Sequence, residues 1–235
     1  MSSRHRYDEI RAGLDAVHDR IARAARAAGR DDQVGLVVVT KFFPASDVRI
    51  LADLGVTDVG ENRHQEAQAK AAELADLATV RWHFIGGLQS NKAAAVAGYA
   101  GVVESVDRPE LLPRLARGAQ EAGHGLDVLL QVSLDPPGQA GRAGVAPADL
   151  ASLADAAEQV EGLTLTGLMA VAPLGEDPAV AFERLAQIRQ QLLTNHPAAT
   201  VLSAGMSGDL EQAIAAGATH VRVGSAVLGS RPSLA

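Results

Sequence analysis

The chain has 235 residues, a formal net charge of −7 and no cysteine. The negative charge argues against a general nucleic-acid or anionic-membrane surface. The absence of cysteine excludes disulfides, thiolate nucleophiles and cysteine-ligated zinc. The start MSSRHRYDEI lacks the apolar core of a signal peptide, and no uninterrupted apolar stretch of about 18 residues occurs, so we expect a cytoplasmic protein without a membrane partner.

Apolar residues make up 47% of the chain, but aromatic residues only 3%. The core must therefore consist of Val, Leu, Ile and Ala, as is typical of buried parallel strands covered by helices. No linker or low-complexity tract interrupts the chain, and its length is near the roughly 250 residues of one α/β barrel. We expect one domain over residues 1–235 and a monomer.

The first predicted element is a helix from about Asp8 to Ala28, because Ile10, Leu14, Val17 and Ile21 recur at three- and four-residue spacing. After it, short β-branched runs alternate with longer amphipathic runs. The predicted strands are Val34–Thr40, Thr57–Val59, Arg81–Ile85, Gly101–Glu104, Asp127–Val132, Thr164–Leu168, Thr200–Ser203 and His220–Val223. The predicted helices are Ala45–Leu54, Asn62–Leu77, Gln89–Ala97, Arg108–Ala122, Pro147–Val160, Pro178–Leu193 and Ser207–Ala215.

Eight strands separated by helices indicate a parallel sheet, because each crossover must carry the chain back across the sheet. Eight such units predict an α/β fold, a single (β/α)8 TIM-type barrel with an additional N-terminal helix. That helix is expected to take the place of a helix after the eighth strand. An open doubly wound sheet is the alternative, but it usually has a glycine-rich turn after the first strand, where this chain has TKFFPAS.

Lys41 follows the most apolar strand, GLVVVT, and precedes Phe42 and Phe43. The carboxyl ends of the strands form the active face of such barrels. A partly desolvated lysine at this position has a lowered pKa and a nucleophilic amine. A lysine that extends from a strand end into solvent is the alternative, and position alone favours it.

Small residues follow the seventh and eighth strands, where barrels commonly bind a phosphate group. Ser207 has a hydroxyl to donate there, although it is equally suited to be the N-cap of the next helix. Gly224 allows close approach of the backbone to a ligand. Arg222 alternates with two valines and should point into the barrel mouth, as a ligand contact or in an ion pair. A lysine facing a phosphate site indicates a phosphorylated aldehyde or ketone, which includes pyridoxal phosphate and the sugar phosphates of class I aldolases.

Five strings of the sequence carry a family resemblance. They are VVVTKFFPASDV, VGENRHQEAQAK, WHFIGGLQSNK, LTGLMAV and LSAGMSGDLEQAIAAGATHVRVGSAVLG. Together they resemble the pyridoxal phosphate homeostasis protein family, which is similar to the N-terminal barrel of alanine racemase. The resemblance covers about residues 37–229.

The resemblance implies that pyridoxal 5'-phosphate is the cofactor and is held as a Schiff base on Lys41. It further implies that Ser207, Gly224 and Ser225 form the phosphate site with Met206 beside it. Arg222 would face the pyridine nitrogen, and Asn62 would lie near the ring. Departures from the usual family pattern include Phe43, which stands where a second lysine is frequent, Gly87, which stands where a proline is usual, and Ser225, which stands where a threonine is frequent.

A racemase needs acid–base groups on both faces of the substrate carbon. In alanine racemase, the second base is a tyrosine from an extra domain, and we expect no such domain in this chain. Tyr7 lies on the first helix and Tyr99 before the fourth strand, so we expect neither at the mouth. His83 and Glu104 are weaker candidates for the mouth or for structural roles, and no histidine spacing predicts a metal site.

These observations favour a protein that binds the cofactor and passes it to pyridoxal-phosphate-dependent apoenzymes, without efficient catalysis. The alternatives are an amino-acid racemase or related pyridoxal enzyme, and a class I aldolase.

Overall fold

Eight parallel strands close into a barrel in the computed structural model, which describes residues 3–135 and 143–230. The strands are neighbours in chain order, and the eighth pairs with the first. They are β1 (Gly35–Val39), β2 (Asp58–Glu61), β3 (Arg81–Phe84), β4 (Val102–Val106), β5 (Leu126–Gln131), β6 (Leu163–Met169), β7 (Val201–Ser203) and β8 (His220–Val223). The predicted (β/α)8 barrel is confirmed, and the open doubly wound sheet is wrong because the sheet closes on itself.

Helices surround the barrel on its outer face. They are α1 (Ser3–Ala27), α2 (Ala45–Asp53), α3 (His64–Glu73), α4 (Ala93–Ala97), α5 (Leu112–Ala122), α6 (Leu150–Glu158), α7 (Pro178–Asn195), α8 (Leu210–Ala215) and α9 (Ser225–Leu228). Short 3₁₀ turns precede α4, α5 and α6. The four-residue helix α9 was not predicted, since one turn carries no measurable periodicity.

Helix α1 packs against α8 and α9, the helices that precede and follow β8. Arg6 Nη2 donates to Leu228 O (3.0 Å) and to Asp47 Oδ2 (2.6 Å), which ties α1 to α9 and α2. Arg20 pairs with Glu211 on α8. A Cβ on Gly13 would lie 2.4 Å from Val227 O, so only glycine allows this close helix crossing. As predicted, α1 occupies the place of the helix after β8.

Helix α1 begins earlier than predicted, at Ser3, and α3, α4, α5, α6 and α8 begin later, with 3₁₀ turns ahead of α4, α5 and α6. The delays of α3 and α8 involve no 3₁₀ turn. Helix α3 starts at His64 because Arg63 is still extended, and this leaves Asn62 in the preceding loop. Helix α8 starts at Leu210, since the Met206 N–H donates to Asp209 Oδ1 (2.6 Å) and forms a turn ahead of it. Both segments have helical composition, but a local side-chain or backbone contact delays the first helical turn.

The apolar core lies mainly between strands and helices. Outward-facing residues such as Val38 and Val59, which are in register, are fully buried there. A smaller cluster of Val102, Leu129 and Met169 fills part of the barrel interior. In residues 3–135 and 143–230, no helix is long and apolar enough to cross a membrane, and no group of His, Asp or Glu is arranged to hold a metal ion.

Candidate ligand-binding site at the carboxyl ends of the strands

A cavity of about 320 Å³ lies at the carboxyl ends of the strands. This volume is within the range of small-molecule sites. Its lining includes all seven residues predicted from the sequence: Lys41, Asn62, Met206, Ser207, Arg222, Gly224 and Ser225. The barrel thus brings together residues from four separate loops and strand ends.

Lys41 lies in a tight turn directly after β1. The Phe43 N–H donates to Thr40 O (3.0 Å), so Lys41 and Phe42 are the two central residues of this turn. The chain has three lysines, Lys41, Lys70 and Lys92, and only Lys41 lines the cavity. Lys41 is partly buried, and the buried Phe43 also lines the cavity. Its place on the cavity lining favours a lysine that faces the cavity over one that extends into solvent.

Asn62 reaches the cavity from the loop after β2. Its Oδ1 is buried and has no hydrogen-bond partner among the described residues. A buried polar atom without a partner costs about 1–3 kcal/mol. The position is therefore suited to a ligand group that donates a hydrogen bond, directly or through a water molecule.

Two small-residue loops form the opposite wall. Ser207 and Gly208 follow β7, and Gly224 and Ser225 follow β8. In the described part of the chain, no protein group accepts the backbone N–H of Ser207, Gly208 or Ser225. Such N–H groups at successive small residues are what anion sites use.

Ser207 lies two residues ahead of the N-cap of α8, which is Asp209. The interpretation of Ser207 as an N-cap is therefore wrong, and its hydroxyl is not engaged in starting the helix. Its carbonyl oxygen accepts a hydrogen bond from Arg20 Nη1 (2.7 Å) on α1. Helix α1 thus helps to hold this loop beside the cavity.

Arg222 is the cationic group at the base of the cavity and is 4% exposed. Its Nη1 donates to Ser203 Oγ (2.7 Å) and its Nη2 to Ala170 O (2.9 Å). Ser203 Oγ in turn donates to Glu104 Oε2 (2.6 Å). Arg222 Nη1 is also 3.8 Å from Glu104 Oε2. The guanidinium therefore has its charge balanced inside the barrel while it remains on the cavity lining, so the predicted ion pair is present and the ligand contact stays a prediction.

The chain of polar contacts continues toward the amino ends of the strands. His83 Nδ1 is 2.7 Å from Glu104 Oε1, and His83 Nε2 is 2.8 Å from Asp58 Oδ1. Burial disfavours the charged forms of Asp58, His83 and Glu104. For His83 and Glu104, the partners outweigh burial and set the direction of the pKa shift. Burial would lower the pKa of His83, yet Asp58 and Glu104 raise it. Burial would raise the pKa of Glu104, yet His83 and Arg222 lower it.

For Arg222, burial is the larger effect and lowers its pKa, while the negative charges of Glu104 and Asp209 oppose this shift. His83 and Glu104 do not line the cavity, so their structural interpretation holds. Tyr7 and Tyr99 are also absent from the cavity lining. Tyr99 is largely buried beside His64, where burial and the charge of Glu61 raise its pKa.

Sequence reasoning missed the apolar walls of the cavity. These are Val39, Ile85, Met169 and Val171. Each of the four ends or follows a strand. Many other residues do so without lining the cavity, so the sequence alone does not single out these four. It also missed a buried cluster behind Lys41, formed by Thr40, Glu61, Glu66 and Lys70. The four-residue spacing of Glu66 and Lys70 was the one available signal.

Comparison with known proteins identifies relatives of the whole barrel. The family model for the N-terminal domain of alanine racemase matches residues 13–232. A protein of Mycobacterium tuberculosis named pyridoxal phosphate homeostasis protein is 43% identical over 245 residues, which cover 96% of this chain and 94% of that protein. The protein of the same name from Pseudomonas aeruginosa is 44% identical over 223 residues, 94% of this chain and 96% of that protein.

A solved structure agrees with these sequence matches. PipY of Synechococcus elongatus, whose structure has pyridoxal phosphate bound, is 38% identical to this chain and superposes with a TM-score of 0.77. The match covers 89% of this chain and all of that one. The chain belongs to the pyridoxal phosphate homeostasis protein family and carries the alanine racemase N-terminal domain.

Proposed function

We propose that this chain binds pyridoxal 5'-phosphate in the cavity at the carboxyl ends of the strands and serves in the homeostasis of that cofactor. The observation that carries the proposal is the meeting, on one cavity, of Lys41 with two loops that present free backbone N–H groups. When bound, the cofactor supplies an aldehyde that forms a Schiff base with a lysine amine, and a ring that withdraws electrons. The residues present fit both the aldehyde and the phosphate.

Each wall of the cavity has a separate role. Lys41 provides the amine from a partly buried position on the cavity lining, next to the buried Phe43. Ser207, Gly224 and Ser225 bind the phosphate through N–H and hydroxyl groups. Met206 closes the mouth beside them, where its side chain is 38% exposed. These interactions exclude water from one face of the ligand.

Arg222 and Asn62 orient the ring. A guanidinium donates hydrogen bonds and does not give up a proton, so Arg222 binds the ring nitrogen without protonating it. This weakens the ring as an acceptor of electrons. Asn62 places a buried oxygen that lacks a partner beside the same ligand.

The lining also supports binding without efficient turnover. Apart from Lys41, the described lining has no side chain that takes up and returns protons near neutral pH, since it contains no His, Asp, Glu or Tyr. Racemisation needs two such groups, one on each face of the substrate carbon. We therefore assign the chain a role in holding the cofactor and passing it to apoenzymes that use it.

The test is reconstitution of the purified chain with pyridoxal phosphate, followed by visible spectroscopy and borohydride reduction. We expect the absorbance of a lysine Schiff base, and a modified lysine that maps to Lys41. Lys41→Ala should abolish the absorbance, whereas Lys92→Ala should keep it, because Lys92 lies outside the cavity. A wild-type chain without this absorbance contradicts the proposal.

The second part of the proposal is tested with amino acids in deuterated water. We expect no sustained exchange at the α-carbon by the reconstituted chain, and transfer of the cofactor to an added apoenzyme measured by that enzyme's recovered activity. Sustained exchange would show a catalytic role and contradict this part alone.

A further inference from the structure

A cluster of buried charged and polar groups lies directly behind Lys41, between β1, β2 and α3. It comprises Thr40, Glu61, Glu66 and Lys70, and is called the rear cluster below. Lys70 Nζ donates to Thr40 O (2.8 Å), Glu61 Oε1 (2.7 Å) and Glu66 Oε1 (2.7 Å). The side chain of Lys70 is 8% exposed and that of Glu61 1%. All three donor positions of the ammonium are used.

The rear cluster holds the peptide groups on both sides of Lys41. Before Lys41, the Thr40 carbonyl accepts from Lys70, and Thr40 Oγ1 donates to Glu61 Oε1 (2.7 Å). After Lys41, the Phe42 N–H donates to Glu66 Oε1 (2.6 Å). Helix α3 supplies Glu66 and Lys70, and β2 supplies Glu61, as partners for the turn that carries Lys41.

The turn itself is strained at Phe42, which has a φ of +71°. Among the described residues it is the only non-glycine residue with a positive φ. A turn with this conformation at its third residue normally has glycine there. For an L residue the conformation costs about 1–2 kcal/mol, and it persists only where surrounding contacts impose it. Here those contacts are the Glu66 carboxylate and Arg63, whose guanidinium lies 4.8 Å from the centre of the Phe42 ring.

Stability alone does not account for the rear cluster. Burying charged groups costs several kcal/mol per ion, and apolar replacements of similar volume often leave stability unchanged or increase it. The same outer face of β1 and β2 has the apolar pair Val38 and Val59 two residues earlier in each strand. Glu61 Oε2 is moreover buried without a partner in the described structure. On this face the buried residues thus change from the apolar pair Val38 and Val59 to the polar pair Thr40 and Glu61 where the face adjoins Lys41.

We propose that the rear cluster is a positioning device, which holds the turn of Lys41 so that its amine faces the cavity and thereby sets how fast Lys41 releases its carbonyl ligand. The inference rests on the proposed function of Lys41. Glu61, Glu66 and Lys70 act through the main chain of residues 40–42 and are positioning residues. Relaxation of the turn would let Lys41 leave the cavity wall, which gives the protein a means of releasing the ligand.

The experiment uses Glu66→Ala, which removes the acceptor of the Phe42 N–H, and Glu66→Gln, which keeps an acceptor oxygen. Glu66 is 24% exposed, so neither change leaves a fully buried gap. In Glu66→Ala we expect release of the cofactor to accelerate about tenfold or more, as loss of a supporting hydrogen bond does at other ligand sites. Glu66→Gln should restore most of the slow release. Release is measured by transfer to an excess of an apoenzyme, from the decay of the Schiff-base absorbance.

A second readout needs no cofactor. Amide hydrogen exchange of Phe42 in the apo chain should accelerate in Glu66→Ala and in Lys70→Met, while the melting temperature of Glu66→Ala stays close to that of the wild type. Arg49→Met is the control, because it removes an exposed cation paired with Asp76 on another part of the surface. It should change neither readout. A purely structural role would lower the melting temperature without a selective change in Phe42 exchange or release.

The two proposals fail in different ways. If the wild-type chain shows no Schiff-base absorbance, the proposed function is wrong. If the wild type shows it and Glu66→Ala retains both wild-type release and Phe42 protection, the positioning role of the rear cluster is wrong. Should Lys70→Met not fold, Glu66→Ala alone decides.

Discussion

The two sides of the cavity are built in different ways. On the lysine side, residues 39–43, buried side chains of α3 hold the main chain by charged hydrogen bonds. On the glycine side, residues 205–208 and 224–225, the wall consists of backbone and small residues with few side-chain contacts. Under the proposed function, the reactive amine is therefore supported by tertiary contacts, whereas the anion site is formed largely by the local course of the backbone.

The comparison predicts which kind of substitution matters on each side. On the lysine side, removal of a supporting side chain should have the larger effect. On the glycine side, an added Cβ should matter more than a lost hydroxyl. Both sides also depend on Glu104 inside the barrel, which holds Arg222 between the two sides.

The largest effect is expected for Glu104→Gln. This change leaves Arg222 buried without its counterion and should destabilise the chain by about 3–5 kcal/mol. Glu211→Gln removes a partly exposed partner of Arg20 and should cost less than about 1 kcal/mol. Urea unfolding measures both. Equal losses of stability in the two variants would show that the buried charges inside the barrel contribute no more than an exposed ion pair.

The next effect is expected for Gly224→Val on the glycine side. A Cβ there would lie 3.0 Å from Val39 O and 3.4 Å from Val39 Cβ. The strand ends must shift, at about 1–3 kcal/mol in stability, and the affinity for pyridoxal phosphate should fall by about tenfold or more. Gly87→Ala is the control, because a Cβ there meets no atom within 4 Å. Cofactor titration measures the affinity, and thermal unfolding measures the stability. An unchanged affinity for pyridoxal phosphate would contradict the expected difference between the two sides.

On the lysine side, Thr40→Val removes the hydroxyl that donates to Glu61 Oε1 while keeping the shape of the side chain. Glu61 is already desolvated, and burial raises its pKa despite the charge of Lys70. The loss should cost about 1–3 kcal/mol. Thr57→Val removes a comparable hydroxyl at an exposed contact with Asp58 and should be nearly neutral. If the two variants unfold at the same denaturant concentration, the buried contact between Thr40 and Glu61 has no special role on the lysine side.

A smaller effect is expected for Ser207→Ala. The hydroxyl is lost, but the backbone N–H groups of the loop remain, so the binding free energy should weaken by about 0.5–1.5 kcal/mol. Stability should not change, since Ser207 is not the N-cap of α8. Titration with pyridoxal phosphate tests this. A loss larger than that of Gly224→Val would show that the hydroxyl, rather than the backbone, forms the anion site.

The smallest effect is expected in the pH dependence of stability through His83. Its pKa is raised in the folded chain, so its contribution is fully present below the unfolded pKa of about 6.5 and is lost as the pH rises through the folded pKa. Glu104 has a lowered pKa, and its contribution is lost only as the pH falls through that value. His83→Gln should therefore cost more stability at about pH 5.5 than at about pH 9. A difference between wild type and His83→Gln that does not change with pH contradicts the pairing.

The sequence predicted every strand to within a few residues, because each βα unit carries its own apolar run and its own amphipathic run. It did not predict the start of α8, where the Asp209 side chain forms a turn with Met206, or the one-turn helix α9. At the cavity, family resemblance pointed to seven residues that do line it. The apolar walls were not predictable, since Ile85 and Met169 resemble many other buried residues at strand ends.

By itself, the sequence determined the order of elements, the composition of the core and the presence of a lysine at the end of β1. Periodicity and composition are local properties, so they are evident from the sequence without knowledge of the tertiary contacts of each helix and strand. Only the tertiary structure decided that Lys41 faces a cavity, because that depends on closure of β8 against β1. It also decided that Lys70 and Glu66 on α3 hold the turn of Lys41, since these contacts join residues 24 to 30 positions apart in the chain.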